Sequence, residues 1–253
     1  MKLAASVIVR NERARYLEVV LAHLLEFCDL VCVLDDESSD GWEEAFRPGW
    51  GRHGSRVLIK QGTTRADGVA FNQHAAARNQ LLQFTLAQEP DAILAIDADE
   101  LVSDGAALRT AAESRVISAA LLMEEVWEVC DDLLCIREDG GWSAHPVTML
   151  WKPHPGRAYG IRDLGHATGR TPLGVGGGHV VAECLHLGWS NRAERAERYE
   201  RYAVGDAGKY HAASHIASIM WPDEEVTCRA RPWPAALEPW RQDLLARANG
   251  VAA

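Results

Sequence analysis

Two apolar runs that end abruptly in acid stand out in this sequence: Leu-Val-Cys-Val-Leu-Asp-Asp at residues 30–36 and Ala-Ile-Leu-Ala-Ile-Asp-Ala-Asp at residues 92–99. Continuous apolar runs of this length are typical of strands that are covered on both faces of a sheet. Each run is therefore predicted to be a buried strand whose carboxyl end presents carboxylates.

The segments around these runs alternate between strand-like and helix-like patterns. Short apolar runs predict further strands at 4–9 and 57–60, and apolar residues at helical spacing predict helices over 13–27 and 71–88. Strand–helix–strand alternation of these lengths implies right-handed crossovers and a mostly parallel sheet. The first hundred residues are thus expected to form an α/β unit with flanking helices.

Beyond residue 103 the pattern changes to shorter strands separated by Gly, Pro and Asp, which favours mixed or antiparallel pairing. A charged helix and a proline- and tryptophan-rich tail with one last helix follow. The predicted elements are a helix over 106–114, strands over 116–123, 126–129, 133–137, 147–152 and 180–187, and a helix over 191–202.

Composition restricts the class of partner. The chain has 253 residues with 26 Lys+Arg against 36 Asp+Glu, a net charge of −10. Affinity for nucleic acid or anionic membrane depends on clustered cations, so neither partner is expected. No apolar run approaches the roughly 20 residues that cross a bilayer. Six cysteines without a Cys-x-x-Cys pair indicate reduced thiols in a cytoplasmic protein.

The acids after the two runs predict a metal site. In an open α/β sheet, ligands bind at the carboxyl ends of strands, so Asp35, Asp36, Asp97 and Asp99 are expected at one rim. Carboxylates at that density repel one another unless cations neutralise them, and a hard divalent cation prefers oxygen ligands. The alternative is ordinary turn and capping chemistry after each strand.

These residues also carry a family resemblance. The segments at 6–12 (Ser-Val-Ile-Val-Arg-Asn-Glu), 33–41 (Val-Leu-Asp-Asp-Glu-Ser-Ser-Asp-Gly), 77–79 (Ala-Arg-Asn) and 96–100 (Ile-Asp-Ala-Asp-Glu) resemble, in order and spacing, those of family 2 glycosyltransferases. The resemblance implies the GT-A fold, a nucleotide-diphosphate sugar donor, and Mg²⁺ or Mn²⁺. It also implies a nucleotide-sugar-binding half at 1–105, an acceptor-binding and catalytic half of the same domain at 106–205, and a helical tail at 206–253.

The resemblance assigns roles to individual positions. Val9, Arg10 and Glu12 resemble the turn that contacts the nucleotide in that family, and Arg10 stands where a tyrosine is frequent. By the same resemblance, Asp35 and Asp36 would contact the base or ribose, and Arg78 would face the diphosphate. Asp97 would contact the ribose, and Asp99 would bind the metal. On its own, Arg78 reads better as a solvated helix arginine paired with a nearby acid.

Two roles are less well defined by the pattern. His186, after the late strand, is expected to reach back to the metal or diphosphate, although a strand-end histidine is often structural. The general base of the resembled enzymes follows a histidine, but here Ala167 follows His166. Asp163 is the first candidate for this base and Glu183 the second, and Glu124 and Glu125 stay open.

The sequence thus predicts a metal-dependent glycosyltransferase, inverting, that moves a sugar to the hydroxyl of a small-molecule, natural-product or cell-envelope acceptor. One alternative is a nucleotidyltransferase of similar fold, although residues 9–15 lack its glycine-rich loop. Another is a protein that binds a nucleotide sugar without turnover, since the expected glutamate after His166 is missing.

Overall fold

The computed structural model describes residues 1–62, 74–161, 170–205 and 212–250. Within these ranges it is a mixed α/β structure built on one large sheet. The strands are β1 (Leu3–Val9), β2 (Leu30–Asp35), β3 (Val57–Gln61), β4 (Ala92–Ala95), β5 (Glu100–Val102), β6 (Ser118–Val129), β7 (Leu133–Arg137), β8 (His145–Trp151), β9 (Val180–His186) and β10 (Cys228–Pro232). The helices are α1 (Leu17–Phe27), α2 (Trp42–Phe46), α3 (His74–Leu86), α4 (Gly105–Glu113), α5 (Arg192–Gly205), α6 (Ala213–Ser218) and α7 (Arg241–Ala248), with short 3₁₀ turns between some of them.

The amino-terminal strands form the predicted parallel unit. Strand β1 lies between β4 and β2 and pairs with both in parallel, and β3 extends the sheet beyond β2. Every residue of β2 and β4 is buried. The two faces of β2 pack differently: Val31 and Val33 join the core that α1 covers, whereas Cys32 and Leu34 pack against α3. Burial on both faces is the physical reason that these strands read as continuous apolar runs.

The second half is mixed, as the shorter strands indicated. Strand β8 runs antiparallel to β4 and β6, while β6 also pairs in parallel with β9 and antiparallel with β7. The prediction of separate strands at 116–123 and 126–129 was wrong, because β6 continues through both with a register shift between Val126 and Glu128. A bulge bends a strand without ending it.

Two short strands were not predicted. Strand β5 follows the acidic segment after β4 and pairs with β9, and β10 pairs antiparallel with β7 at the far edge of the sheet. Charged side chains on β10 obscured its pattern: Arg229 and Arg231 bind Glu124 across the sheet at 2.6 and 3.0 Å.

The helices begin and end within a few residues of their predicted bounds. Helix α1 starts at Leu17, four residues later than expected, because the preceding segment turns instead. The backbone N–H of Arg13 donates to Asp40 at 2.7 Å, which ties this turn to the loop after β2. Among the described helices, none combines the length and apolar character needed to cross a membrane.

Gly178 sets the approach of β9 to β6, which yields a prediction about stability. Its φ is +101°, and a Cβ there would overlap the carbonyl oxygen of Ser118 and lie 2.9 Å from the Cα of Ala119. We expect Gly178→Ala to lower the free energy of unfolding by about 2–4 kcal/mol, from backbone strain and the clash together. Urea denaturation followed by circular dichroism measures this difference.

The matched control is Gly176→Ala, two residues earlier, where a Cβ meets nothing within 4 Å. We expect a change of less than about 0.5 kcal/mol there. Equal effects of the two substitutions would contradict the assigned packing.

Candidate active site

The candidate site lies at the carboxyl edge of the parallel strands. Strands β2 and β4 flank β1 on opposite sides, so the chain leaves β1 toward one neighbour and returns on the other. This arrangement opens a crevice beside β1, at the point where ligands bind in open α/β sheets. The acids after β2 and β4 therefore share one edge of the sheet, as the sequence predicts.

The loops after β1 and β2 are joined to each other. Val9 pairs with Asp35 in the sheet, and the backbone N–H of Asp36 donates to the carbonyl of Val9 at 2.8 Å. The guanidinium of Arg10 lies 3.6 Å from the carboxylate of Asp36. Asp35 is buried and accepts a hydrogen bond from the backbone N–H of Ser38 at 2.9 Å. This acid therefore also stabilises the turn after β2, which is the alternative role that the sequence allowed.

Asp97 lies in a pair of charged contacts. Its carboxylate accepts from Arg78 at 2.6 Å and lies 3.2 Å from Arg170. Burial alone would raise the pKa of Asp97, but Arg170 and Arg78 outweigh it and lower the pKa to about 2. Arg170 also binds Glu100, which is fully buried and accepts from the backbone N–H of Asp97 at 2.8 Å.

Asp99 lies in a second group of charges. Its carboxylate binds the guanidinium of Arg198 and lies 3.4 Å from Nε2 of His186. The other ring nitrogen of His186 lies 2.6 Å from the carboxylate of Glu125. Gly188 makes room for this group, since a Cβ there would come within 2.5 Å of the Asp99 carboxylate.

The charges in this second group fix one another's protonation. Burial favours the neutral forms of Asp99 and His186, but the charges around them favour the ionised forms. The pKa of Asp99 lies well below its usual value because of His186 and Arg198, and the pKa of His186 lies well above its usual value because of Glu125 and Asp99. His186 is therefore an imidazolium held between two carboxylates.

Glu12 joins the same group from the turn after β1. It contacts Arg15 at 3.5 Å, and its other carboxylate oxygen is buried with no hydrogen-bond partner among the described residues. Burial, followed by the nearby charge of Asp99, raises the pKa of Glu12 to about 7. Glu12 and Asp99 are thus brought together from separate loops.

Of the base candidates, Glu125 lies in this group beside His186, whereas Glu183 and Glu124 do not. Glu183 lies on β9 three residues before His186, so its side chain points to the opposite face of the sheet. There it binds Arg231, which also binds Glu124. Asp163 and the pair His166–Ala167 lie outside the described residues.

The structure adds charged residues that the sequence analysis did not assign to the site. These are Arg170, Arg198, Glu100 and Glu125. Arg198 could have been noticed in the sequence, since it forms an Arg-Tyr pair with Tyr199 in the predicted charged helix. Glu125 was considered only as a base. Arg170 contacts Glu100 across 70 residues of sequence, and no local pattern marks that contact.

No protein-family model and no curated protein matches this chain. Similar solved structures include S. aureus TarS 1–349, with a TM-score of 0.48 and 16% identity over 87% of this chain and 69% of that chain. TarS 1–349 in complex with UDP has a TM-score of 0.37 and 23% identity over 49% of this chain and 36% of that chain. A putative glucose-1-phosphate thymidylyltransferase from Bacillus anthracis has a TM-score of 0.38 and 10% identity over 97% of this chain and 95% of that chain.

These likenesses are weak. Every TM-score is below 0.5 and every identity below 25%, so they do not distinguish a glycosyltransferase from a nucleotidyltransferase. The chain spans about a third of the length of the UDP-bound TarS structure.

The contact between Glu125 and His186 predicts an effect on titration. Glu125→Gln removes a negative charge from one side of the imidazolium, so we expect the pKa of His186 to fall by at least about one unit. The shift of the ring protons with pH, followed by NMR, measures this change.

Glu124→Gln is the control, because Glu124 is the adjacent residue on β6 and binds Arg229 and Arg231 instead of His186. It should leave the titration of His186 unchanged. A His186 pKa that responds equally to both substitutions would show that Glu125 does not hold the imidazolium.

Proposed function

We propose that this protein is a transferase that uses a nucleotide-diphosphate sugar and a divalent cation, and that it moves the sugar to an acceptor hydroxyl. The observation that carries the proposal is the group of compensated charges at the carboxyl edge of β1 and β4. The segments that resemble family 2 glycosyltransferases supply Asp97, Asp99, Glu100 and Arg78.

The charges of this group are balanced without any ligand. Glu12 has its own cationic neighbour in Arg15. The other four carboxyl groups, those of Asp97, Asp99, Glu100 and Glu125, face four cationic side chains, those of Arg78, Arg170, Arg198 and His186. A divalent cation alone would meet acids that already have partners, and a diphosphate alone would meet arginines that already have partners. A cation and the diphosphate of a nucleotide sugar together add no net charge, so the group can exchange its partners and stay neutral.

In this exchange the arginines would turn from carboxylates to phosphate oxygens. A guanidinium offers a planar fork of donors that suits phosphate as well as carboxylate. Arg78 and Arg198 each lie beside one of the acids, so short movements of their side chains would bring them from the carboxylates to the phosphates. Val9, Arg10, Asp35 and Asp36 lie at the neighbouring strand ends, where the nucleoside would be held, and Asp97 would then accept from the ribose.

Asp99 and His186 have the donor atoms that suit Mg²⁺ or Mn²⁺. A carboxylate oxygen and an imidazole nitrogen 3.4 Å apart fit a cation that takes its other ligands from phosphate and water. Glu125 would keep its contact with Nδ1 of His186, which leaves Nε2 for the cation once its proton has been lost. The chemistry supplied by such a cation is neutralisation of the charge that develops on the leaving diphosphate.

The acceptor hydroxyl would lose its proton to a carboxylate on the side opposite the diphosphate. Asp163 is the proposed base, since it lies in the segment before Arg170 and Arg170 contacts both Asp97 and Glu100. Glu183 is the weaker candidate, because it faces away from His186 and binds Arg231.

The balanced charges predict that cation and nucleotide bind together. We expect at least one of UDP, GDP, CDP, ADP and dTDP to bind at least tenfold more tightly in Mn²⁺ than in EDTA, a coupling of about 1.4 kcal/mol. Asp99→Asn should abolish that coupling. Isothermal titration calorimetry with each nucleotide measures it.

Asp91→Asn is the matched control, since Asp91 directly precedes β4 and caps the opposite end of the sheet through the backbone N–H of Lys2 at 2.6 Å. It should retain the coupling. If none of the five nucleotides binds in Mn²⁺ or Mg²⁺, the proposed function is wrong.

The base assignment predicts a contrast between two conservative substitutions. Asp163→Asn should lower transfer of the sugar, or its slow hydrolysis, by about 100-fold and leave nucleotide affinity unchanged, because proton removal contributes only to turnover. Glu183→Gln should change turnover less than about threefold. Release of nucleoside diphosphate from candidate sugar donors measures both rates.

The opposite result, with turnover lost in Glu183→Gln and kept in Asp163→Asn, would transfer the role to Glu183. Pyrophosphate release from a nucleoside triphosphate and a sugar phosphate, without sugar transfer, would favour the nucleotidyltransferase alternative.

A further inference from the structure

A second group of potential ligands lies at the far end of β6, away from the acids described above. Glu128, Cys130 and Cys135 bring one carboxylate oxygen and two thiol sulfurs within 4.8 Å of one another. In the described part of the chain, no other three Asp, Glu, His or Cys side chains meet this closely. The two thiols are half-buried, and the carboxylate is exposed.

The β6–β7 hairpin holds these residues on one face. Glu128 pairs directly with Cys135, and the backbone N–H of Cys130 donates to the carbonyl of Leu133 at 3.0 Å. Residues directly opposite in an antiparallel pair point to the same side, and so do residues two apart in one strand. The indole N–H of Trp233 donates to the carbonyl of Cys130 at 3.1 Å and secures the turn from the outside.

A third thiol lies on the same face of the neighbouring strand. Strand β10 aligns Ala230 with Cys135 and Cys228 with Arg137, so Cys228 is a diagonal neighbour of Cys135. It is exposed, but it and Cys130 are diagonal to Cys135 in opposite directions along β7. Cys228 and Cys130 therefore lie too far apart to bind one ion together.

We propose that this surface is a zinc site in which Cys130, Cys135 and Glu128 bind the ion and a water molecule would complete a tetrahedral set. Zn²⁺ accepts thiolate and carboxylate ligands in this geometry. With Zn–S bonds of about 2.3 Å, tetrahedral ligands lie roughly 3.8 Å apart. The ligand atoms are already within 4.8 Å, so rotation of exposed side chains closes the difference.

A disulfide fits this geometry less well. Cys130 pairs with Leu133, which places Cys135 diagonally across the ladder from it. Diagonal residues are separated by about 7–8 Å between Cα atoms, longer than the roughly 4.4–6.8 Å that disulfides span. A metal ion spans that longer distance because it joins the two sulfurs through two metal–sulfur bonds in place of one sulfur–sulfur bond.

The protonation of the thiols gives the site a pH dependence. Burial, together with the charge of Glu128, raises the pKa of Cys130 to about 11. A divalent cation reverses both effects, because it compensates the carboxylate and stabilises thiolates. Binding therefore releases protons and becomes tighter as the pH rises.

Cobalt titration of the untagged, reduced, full-length chain tests the proposal, because Co²⁺ reports thiolate ligands through sulfur-to-metal charge-transfer absorption. We expect one equivalent of Co²⁺ to give this absorption in the presence of excess Mg²⁺, and one equivalent of Zn²⁺ to remove it. Cys130→Ser and Cys135→Ser should each weaken binding at least tenfold, whereas Cys228→Ser should leave the absorption unchanged.

Cys32→Ala is the control, since Cys32 is a buried thiol on β2, and its removal should leave the cobalt spectrum unchanged. Circular dichroism of each variant verifies that it is folded. Absence of thiolate absorption, or absorption that persists in both Cys130→Ser and Cys135→Ser, would overturn the proposal. Loss of the absorption in Cys228→Ser would overturn the assignment of the ligands. Since Asp99 and His186 have no part in this readout, the result is independent of the proposed transferase function.

Discussion

Charge compensation at the carboxyl edge of β1 and β4 is the constraint on which the site depends. Asp99 is buried and Asp97 is half-buried, and a carboxylate removed from water without a partner is unfavourable. Arg78 and Arg170 compensate the first acid, and Arg198 and His186 compensate the second. These partners come from helix α3, from the segment before β9, from β9 itself and from helix α5. The acids thereby connect the parallel half of the sheet to the mixed half.

The same constraint explains why buried ion pairs occur where the fold gains little from them. A buried pair contributes little net stability, because desolvation offsets most of the attraction. Its value here is that both members keep their charge in a dry environment, ready for an incoming ligand of either sign. In this interpretation, the sheet supplies the stability and the charged group supplies the chemistry.

Much of the fold could be predicted from the sequence, because β1, β2 and β4 are buried on both faces and read as apolar runs. Strand β10 could not, since Arg229 and Arg231 interrupt its pattern and bind Glu124 and Glu183 from distant segments. The site divides in the same way. Its acids follow predicted strands, whereas Arg198 reaches Asp99 across 99 residues of sequence, and only the folded chain brings the two together.

Strand β6 carries two glutamates in succession, and the pleat directs Glu124 toward Arg229 and Arg231 but Glu125 toward His186. A slip of one residue in the pairing of β6 with β9 would still offer a carboxylate to each side, so this acidic doublet cannot by itself specify alignment. Alignment must instead come from the neighbouring apolar residues, because Leu121 and Met123 are buried and a slip would expose them or force them against charge. The hydrophobic residues of β6 therefore fix its alignment, which leaves the two glutamates to serve their partners on either face.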